Sequence, residues 1–132
     1  MRGTRTVRAS AGNFNNEIGF PLAILGDWQS TKGILFWLRV IFTGIRQLVV
    51  RKEYPEILVL EYAADKPGDM DYLVRIARPN VSIVTAVGET PVHVEFYENP
   101  EAVAREKAKL VEALPADGFA ILNADDPATE RM

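Results

Sequence analysis

Three short apolar runs set the strongest limit on how this chain folds: Ile57-Leu58-Val59-Leu60, Val81-Ser82-Ile83-Val84 and Phe119-Ala120-Ile121-Leu122. Each has the length of a strand, whereas the stretches between them, Gly68 to Arg78 and Asn99 to Leu114, carry helical spacing. The run after Glu56 is continuous, which predicts a strand buried on both faces. Upstream, Thr6 to Ala9 reads as the end of a short strand and Glu17 to Leu25 as a brief helix interrupted early by Pro21. A long helix follows, roughly Lys32 to Lys52, ended by Tyr54-Pro55. Strands that alternate with helices need crossover connections, so the expected class is α/β, a mostly parallel doubly wound sheet with flanking helices. Ligands of such sheets gather at the carboxyl ends of the strands. Leu60 runs into Glu61, Val84 into a loop reaching His93, and Leu122 into Asn123-Ala124-Asp125-Asp126, so these polar clusters are expected along one edge.

At 132 residues the chain is one domain or part of one, with a single core expected. Its 48% hydrophobic and 25% charged content is that of a globular protein, and no internal repeat is visible. A net charge of -3 argues against nucleic acid as a partner, although Arg2, Arg5 and Arg8 form a local basic cluster able to meet an anion. Without cysteine there are no disulfides or thiolate metal sites, which fits a cytoplasmic location. No apolar run follows Met1-Arg2-Gly3-Thr4-Arg5, so no secretory signal is expected. Ile34 to Val50 is the one stretch apolar enough to suggest a membrane, and two arginines interrupt it. Lys32, Arg39, Thr43 and Arg46 fall on one polar stripe of a helix whose remaining surface is apolar. Packing against its own protein is the expected fate of this helix. Contact of residues 34–50 with a membrane surface is the less favoured one, supported by Trp28, Phe36 and Trp37.

The segment Gly12-Asn13-Phe14-Asn15-Asn16-Glu17-Ile18-Gly19 crowds three asparagines and a glutamate between glycines, a composition suited to turns and ligand contact rather than to a core. Glu61 sits where an apolar strand meets the ligand edge; such a glutamate can hold Mg²⁺ or simply reach water. His93 is the only histidine, and a lone loop histidine is more often structural or solvated than a ligand. Asn99 as cap and Pro100 at the first helical position open a helix whose inward face is Val103, Lys107, Leu110, Val111 and Leu114. Lys107 lies mid-stripe and must be buried, snorkelling or chemically altered. Arg105, Lys109 and Glu112 fall on the far side, so Lys109 is expected to be solvated. Asn123 to Pro127 has the composition of an Asx-rich turn.

In this order the motifs resemble the Mur ligases, in particular those that add the D-alanyl-D-alanine dipeptide during peptidoglycan synthesis. The likeness runs from Arg8 to Pro127 and continues through Asp65-Lys66-Pro67-Gly68-Asp69, Tyr72-Leu73, Ala77-Arg78-Pro79 and His93-Val94-Glu95. It implies the family's central ATPase domain, with ATP and Mg²⁺ as cofactors. By resemblance, Asn13, Asn15, Asn16 and Glu17 contact substrate, and Glu61 and His93 are magnesium ligands. Lys107 matches a carbamoylated lysine that bridges to magnesium, Asn123 faces the adenine and Asp126 lies near the ribose. The implied reaction phosphorylates a carboxylate of a UDP-muramoyl peptide and lets the amine of D-alanyl-D-alanine or an amino acid attack the acyl phosphate. No Gly-x-x-x-x-Gly-Lys-[Ser/Thr] occurs in residues 1–132. The expectation is therefore a partial central domain, without the phosphate-loop portion and the carboxyl-terminal domain, inactive alone in ATP hydrolysis. Glu61-Tyr62-Ala63 replaces the Glu-Met-Gly common in the dipeptide-adding enzymes, which leaves the amino substrate open. A related carboxylate-amine ligase, or a non-catalytic binding module using the 34–50 helix as its partner surface, are the alternatives.

Overall fold

The computed structural model describes residues 5–10, 14–28, 31–50, 54–88 and 93–132. Asn13 lies outside them. The chain gathers into two compact units, Met1–Tyr62 and Ala63–Met132, each with its own buried cluster.

In the first unit β1 (Val7–Ala9) pairs in parallel with β2 (Ile57–Val59), Val7 opposite Ile57 and Ala9 opposite Val59. The crossover between them contains α1 (Gly19–Leu25) and α2 (Ile34–Val49). Pro21 does not interrupt α1: it sits in the first turn, where backbone N–H groups have no intrahelical acceptor to lose. The carbonyls at the other end of α1 are taken by side chains brought from far along the chain. Arg8 Nη1 and the Tyr54 hydroxyl donate to the Ile24 carbonyl at 2.7 and 3.0 Å, and Gln47 Nε2 donates to that of Leu25 at 2.6 Å. Leu22, Trp28 and Val40 form the core, and the buried Trp28 indole donates to the Leu22 carbonyl at 2.8 Å.

Two expectations fail here. β2 is not buried on both faces, since Ile57 and Val59 share one face and are 40% and 53% exposed. Nor does α2 pack through its broad apolar surface. It meets α1 through a narrower face carrying Phe36, Val40 and Gln47, and Ile34, Leu38, Ile41, Phe42, Ile45, Leu48 and Val49 remain exposed.

In the second unit β3 (Val81–Val84) and β4 (Phe119–Leu122) pair in parallel over their whole length, with Val81 opposite Phe119 and Val84 opposite Leu122. Their crossover contains a 3-10 turn (Val94–Phe96) and α4 (Pro100–Glu112). Helix α3 (Asp69–Ile76) precedes β3, and α5 (Pro127–Glu130) follows β4. Asn99 caps α4 as expected, its side chain accepting from the Ala102 N–H at 2.9 Å. Met70, Leu73 and Val103 are fully or almost fully buried. The described strands are thus parallel pairs with flanking helices, the expected α/β class.

Candidate functional site

The asparagine-rich loop leads from β1 into α1, and its side chains do two different jobs. Asn16 Oδ1 accepts from the N–H groups of Ile18 and Gly19 at 3.3 and 2.9 Å, closing an Asx turn ahead of the helix. Asn15 instead reaches the end of β2, where its Nδ2 donates to Glu61 Oε1 at 2.9 Å. Gly19 allows this path: a Cβ there would lie 2.7 Å from Phe14 Cα. Glu17 and Glu61 are exposed. Behind Glu61, Tyr62 packs edge-on against Phe20 at 4.7 Å, and burial pushes its hydroxyl up to about 12.

In the second unit the carboxyl ends of β3 and β4 do share an edge. Asp126 joins them. Its Oδ2 accepts from the N–H groups of Val87 and Gly88 at 2.7 and 2.8 Å, and its Oδ1 from those of Ala128 and Thr129 at 2.9 and 3.3 Å. These backbone donors, those of Gly88 and Val87 foremost, hold the carboxyl down at about 2. Gly88 takes a left-handed conformation (φ +79°) to present its N–H. Asn123 Oδ1 accepts from the Asp125 N–H at 3.0 Å, and Thr129, fully buried, donates its hydroxyl to the Asn123 carbonyl at 2.6 Å.

Lys107 projects toward the same edge. Its Nζ donates to the Ala86 carbonyl at 3.2 Å, and its burial lowers the amine's pKa, opposed by the charge of Asp126. His93 stands in left-handed backbone (φ 65°) at the head of the 3-10 turn, with Nε2 3.4 Å from Asp65 Oδ1. Among the described residues no three His, Asp or Glu side chains converge as a cage for a metal ion. Mg²⁺ does not require one. It keeps several waters and is commonly held by one or two carboxylates together with substrate phosphates. The exposed Glu61 carboxylate, oriented by Asn15, fits that role through oxygen.

Sequence reasoning passed over Glu106, a buried carboxylate in α4. Its Oε1 accepts from the Gly68 and Met70 N–H groups, both at 3.0 Å, and so caps the start of α3. Its Oε2 pairs with Lys109 Nζ at 2.7 Å. Lys109 is consequently not a simply solvated lysine: it bridges Glu106 and Asp71, and those two hydrogen bonds raise its pKa. The signal was present in the spacing, because Glu106 stands three residues after Val103 and four before Leu110, on the apolar stripe.

The Mur ligase middle domain matches residues 43–132. A UDP-N-acetylmuramoyl-tripeptide--D-alanyl-D-alanine ligase of Mycobacterium bovis is 34% identical over 126 residues, 96% of this chain and 20% of that protein. The Bacillus subtilis enzyme of the same name is 30% identical over 121 residues, 92% of this chain and 21% of its own length. The chain therefore spans about a fifth of the curated relatives it matches. Among solved structures, MurF ligase from Thermotoga maritima in complex with ADP superposes with a TM-score of 0.69 at 30% identity, covering 97% of this chain and 24% of that one. MurF from Acinetobacter baumannii has the same fold, with a TM-score of 0.67 at 22% identity, covering 97% and 22%. With its parallel strand pairs, its braced β3–β4 edge and a match over residues 43–132, this chain belongs to the Mur ligase family through the middle domain.

Proposed function

We propose that this domain serves an ATP-dependent carboxylate-amine ligase of peptidoglycan precursor synthesis, acting in the cytoplasm on a UDP-muramoyl peptide and D-alanyl-D-alanine or an amino acid. The observation that carries the reading is the polar edge at the ends of β3 and β4, where Lys107 and Asp126 meet the 86–88 loop, in a chain 30% identical to a ligase solved with ADP. In the reaction the γ-phosphoryl group passes from ATP to a carboxylate oxygen of the acceptor, leaving ADP. The amine nitrogen then attacks the acyl carbon, a tetrahedral intermediate forms, and the C–O bond to phosphate breaks as the amine loses a proton.

Asn123, whose carbonyl accepts from the Thr129 hydroxyl, would face the adenine. Asp126, whose carboxylate bonds all come from backbone N–H groups, acts by shaping the loop rather than by reaching the ribose. Asn15, Asn16 and Glu17, together with Asn13, contribute the substrate-facing loop. Glu61 in the first unit, and His93 and Lys107 in the second, are each residues that would bind Mg²⁺, an ion that when bound offsets charge on the transferring phosphoryl group. Lys107 takes part as a carbamate: its neutral amine adds to carbon dioxide, an N–C bond forms and a proton is released. Burial favours the neutral amine that this step needs.

Titration of the isotope-labelled chain with Mg-ADP tests the reading. The amides of residues 86–88 and 123–126 should shift together, and Asn123→Ala should weaken that binding about tenfold, the worth of a good hydrogen bond. Amides that stay unmoved at millimolar nucleotide would overturn it.

A further inference from the structure

Helix α2 presents an apolar surface that its own unit leaves uncovered, and its charges are all of one sign. On a helical wheel Ile34, Leu38, Ile41, Phe42, Ile45, Leu48 and Val49 form one exposed arc, with Trp37 at one margin and Arg39 and Arg46 along the other. From Trp28 to Lys52 the chain has five cations, Lys32, Arg39, Arg46, Arg51 and Lys52, and not one of its 18 acidic residues. The molecule as a whole is anionic, so the segment is a local reversal of charge. Arg39 and Arg46 also line a cavity with Arg8, next to Asp27, and the Arg39 guanidinium lies 5.8 Å over the Trp28 ring.

We propose that α2 lies in the plane of an anionic lipid surface, its exposed arc among the acyl chains and Arg39 and Arg46 at the level of the phosphates. Apolar residues on one face, arginines along its border and an indole at the margin are what such a surface selects. Sixteen residues give a length of about 24 Å, short of the roughly 30 Å of a hydrocarbon core, and among the described residues no helix is long and apolar enough to cross one. Self-association through the same face would align the cations of two copies with no acid on the helix to pair them. This inference is independent of the ligase reading.

Flotation of the whole chain with vesicles is the test. It should float with phosphatidylcholine vesicles that include phosphatidylglycerol, bind pure phosphatidylcholine at least roughly tenfold more weakly, and be released by high salt. Binding should shift the emission of Trp37 to the blue. Leu38→Glu with Ile45→Glu changes only exposed positions and should abolish flotation while leaving the circular dichroism unchanged. Arg39→Gln with Arg46→Gln should weaken it by roughly tenfold or more. If the glutamate variant fails to fold, the lipid-composition and salt dependence of the unaltered chain decide the matter. No flotation, flotation indifferent to lipid charge, or a vesicle-free dimer abolished by the glutamate pair would each overturn the proposal.

Discussion

Replacing Glu106 with alanine should destabilise the second unit far more than a helix-surface mutation would. The buried Met70 N–H loses its acceptor in a place water reaches poorly, at about 1–3 kcal/mol. The part-buried Gly68 N–H loses the same acceptor but is more easily rehydrated, adding about 0.5–1 kcal/mol. Removing a negative charge from the start of α3 costs about 0.5 kcal/mol more. The Lys109 contribution is small, because that side chain is 31% exposed and keeps Asp71 as a partner at 2.7 Å. The sum is about 2–4.5 kcal/mol, read as a lower urea midpoint at unchanged slope. Glu106→Gln should cost less, because its amide oxygen can still accept from both N–H groups. Hydrogen exchange supplies an independent reading, with the Met70 amide losing protection in the alanine variant. A loss below about 0.5 kcal/mol with Met70 protection intact would refute the assignment of Glu106 as the cap of α3.

Two further perturbations probe the polar edge and the loop. Because the Asp126 carboxyl is held at about 2, below its ordinary 3.8, its contribution to stability is present above the higher value and fades as pH falls from about 4 toward 2. Asp126→Asn should therefore lower the melting temperature at neutral pH and shrink the further drop seen over that acid window; an unchanged pH profile would count against the four-bond brace. Gly19→Ala should cost about 1–3 kcal/mol by forcing the backbone at Phe14 to move, a loss measurable by thermal melting, and a neutral result would contradict the close approach.

The element order was legible because periodicity is local. Four-residue apolar runs can only be short strands between the helical stretches, and Asn99-Pro100 marks a helix start by chemistry confined to neighbouring residues. The motif order from the Asn15-Asn16 loop through Glu61, His93 and Lys107 to Asn123 was equally readable, and it led to the family. Burial and partnership were not. The continuous run at Ile57 to Leu60 says nothing of whether anything covers Ile57 and Val59, and the apolar turns of α2 do not say which face meets α1. Spacing placed Lys107 inward without saying what it would meet, and Glu106, on the same apolar side of α4, went unread. Only the fold brought the N–H groups of Gly68 and Met70, 38 and 36 residues away, onto the Glu106 carboxylate. It likewise made Asp126 the joint between the two strand ends, by bringing onto it the N–H groups of Gly88 and Val87, 38 and 39 residues away. What the sequence determined by itself is thus the set of elements and the chemistry available at their ends, because these depend on neighbours along the chain. Which of those groups are desolvated, and which donors face which acceptors, was decided by tertiary packing, because such contacts join residues that no local pattern connects.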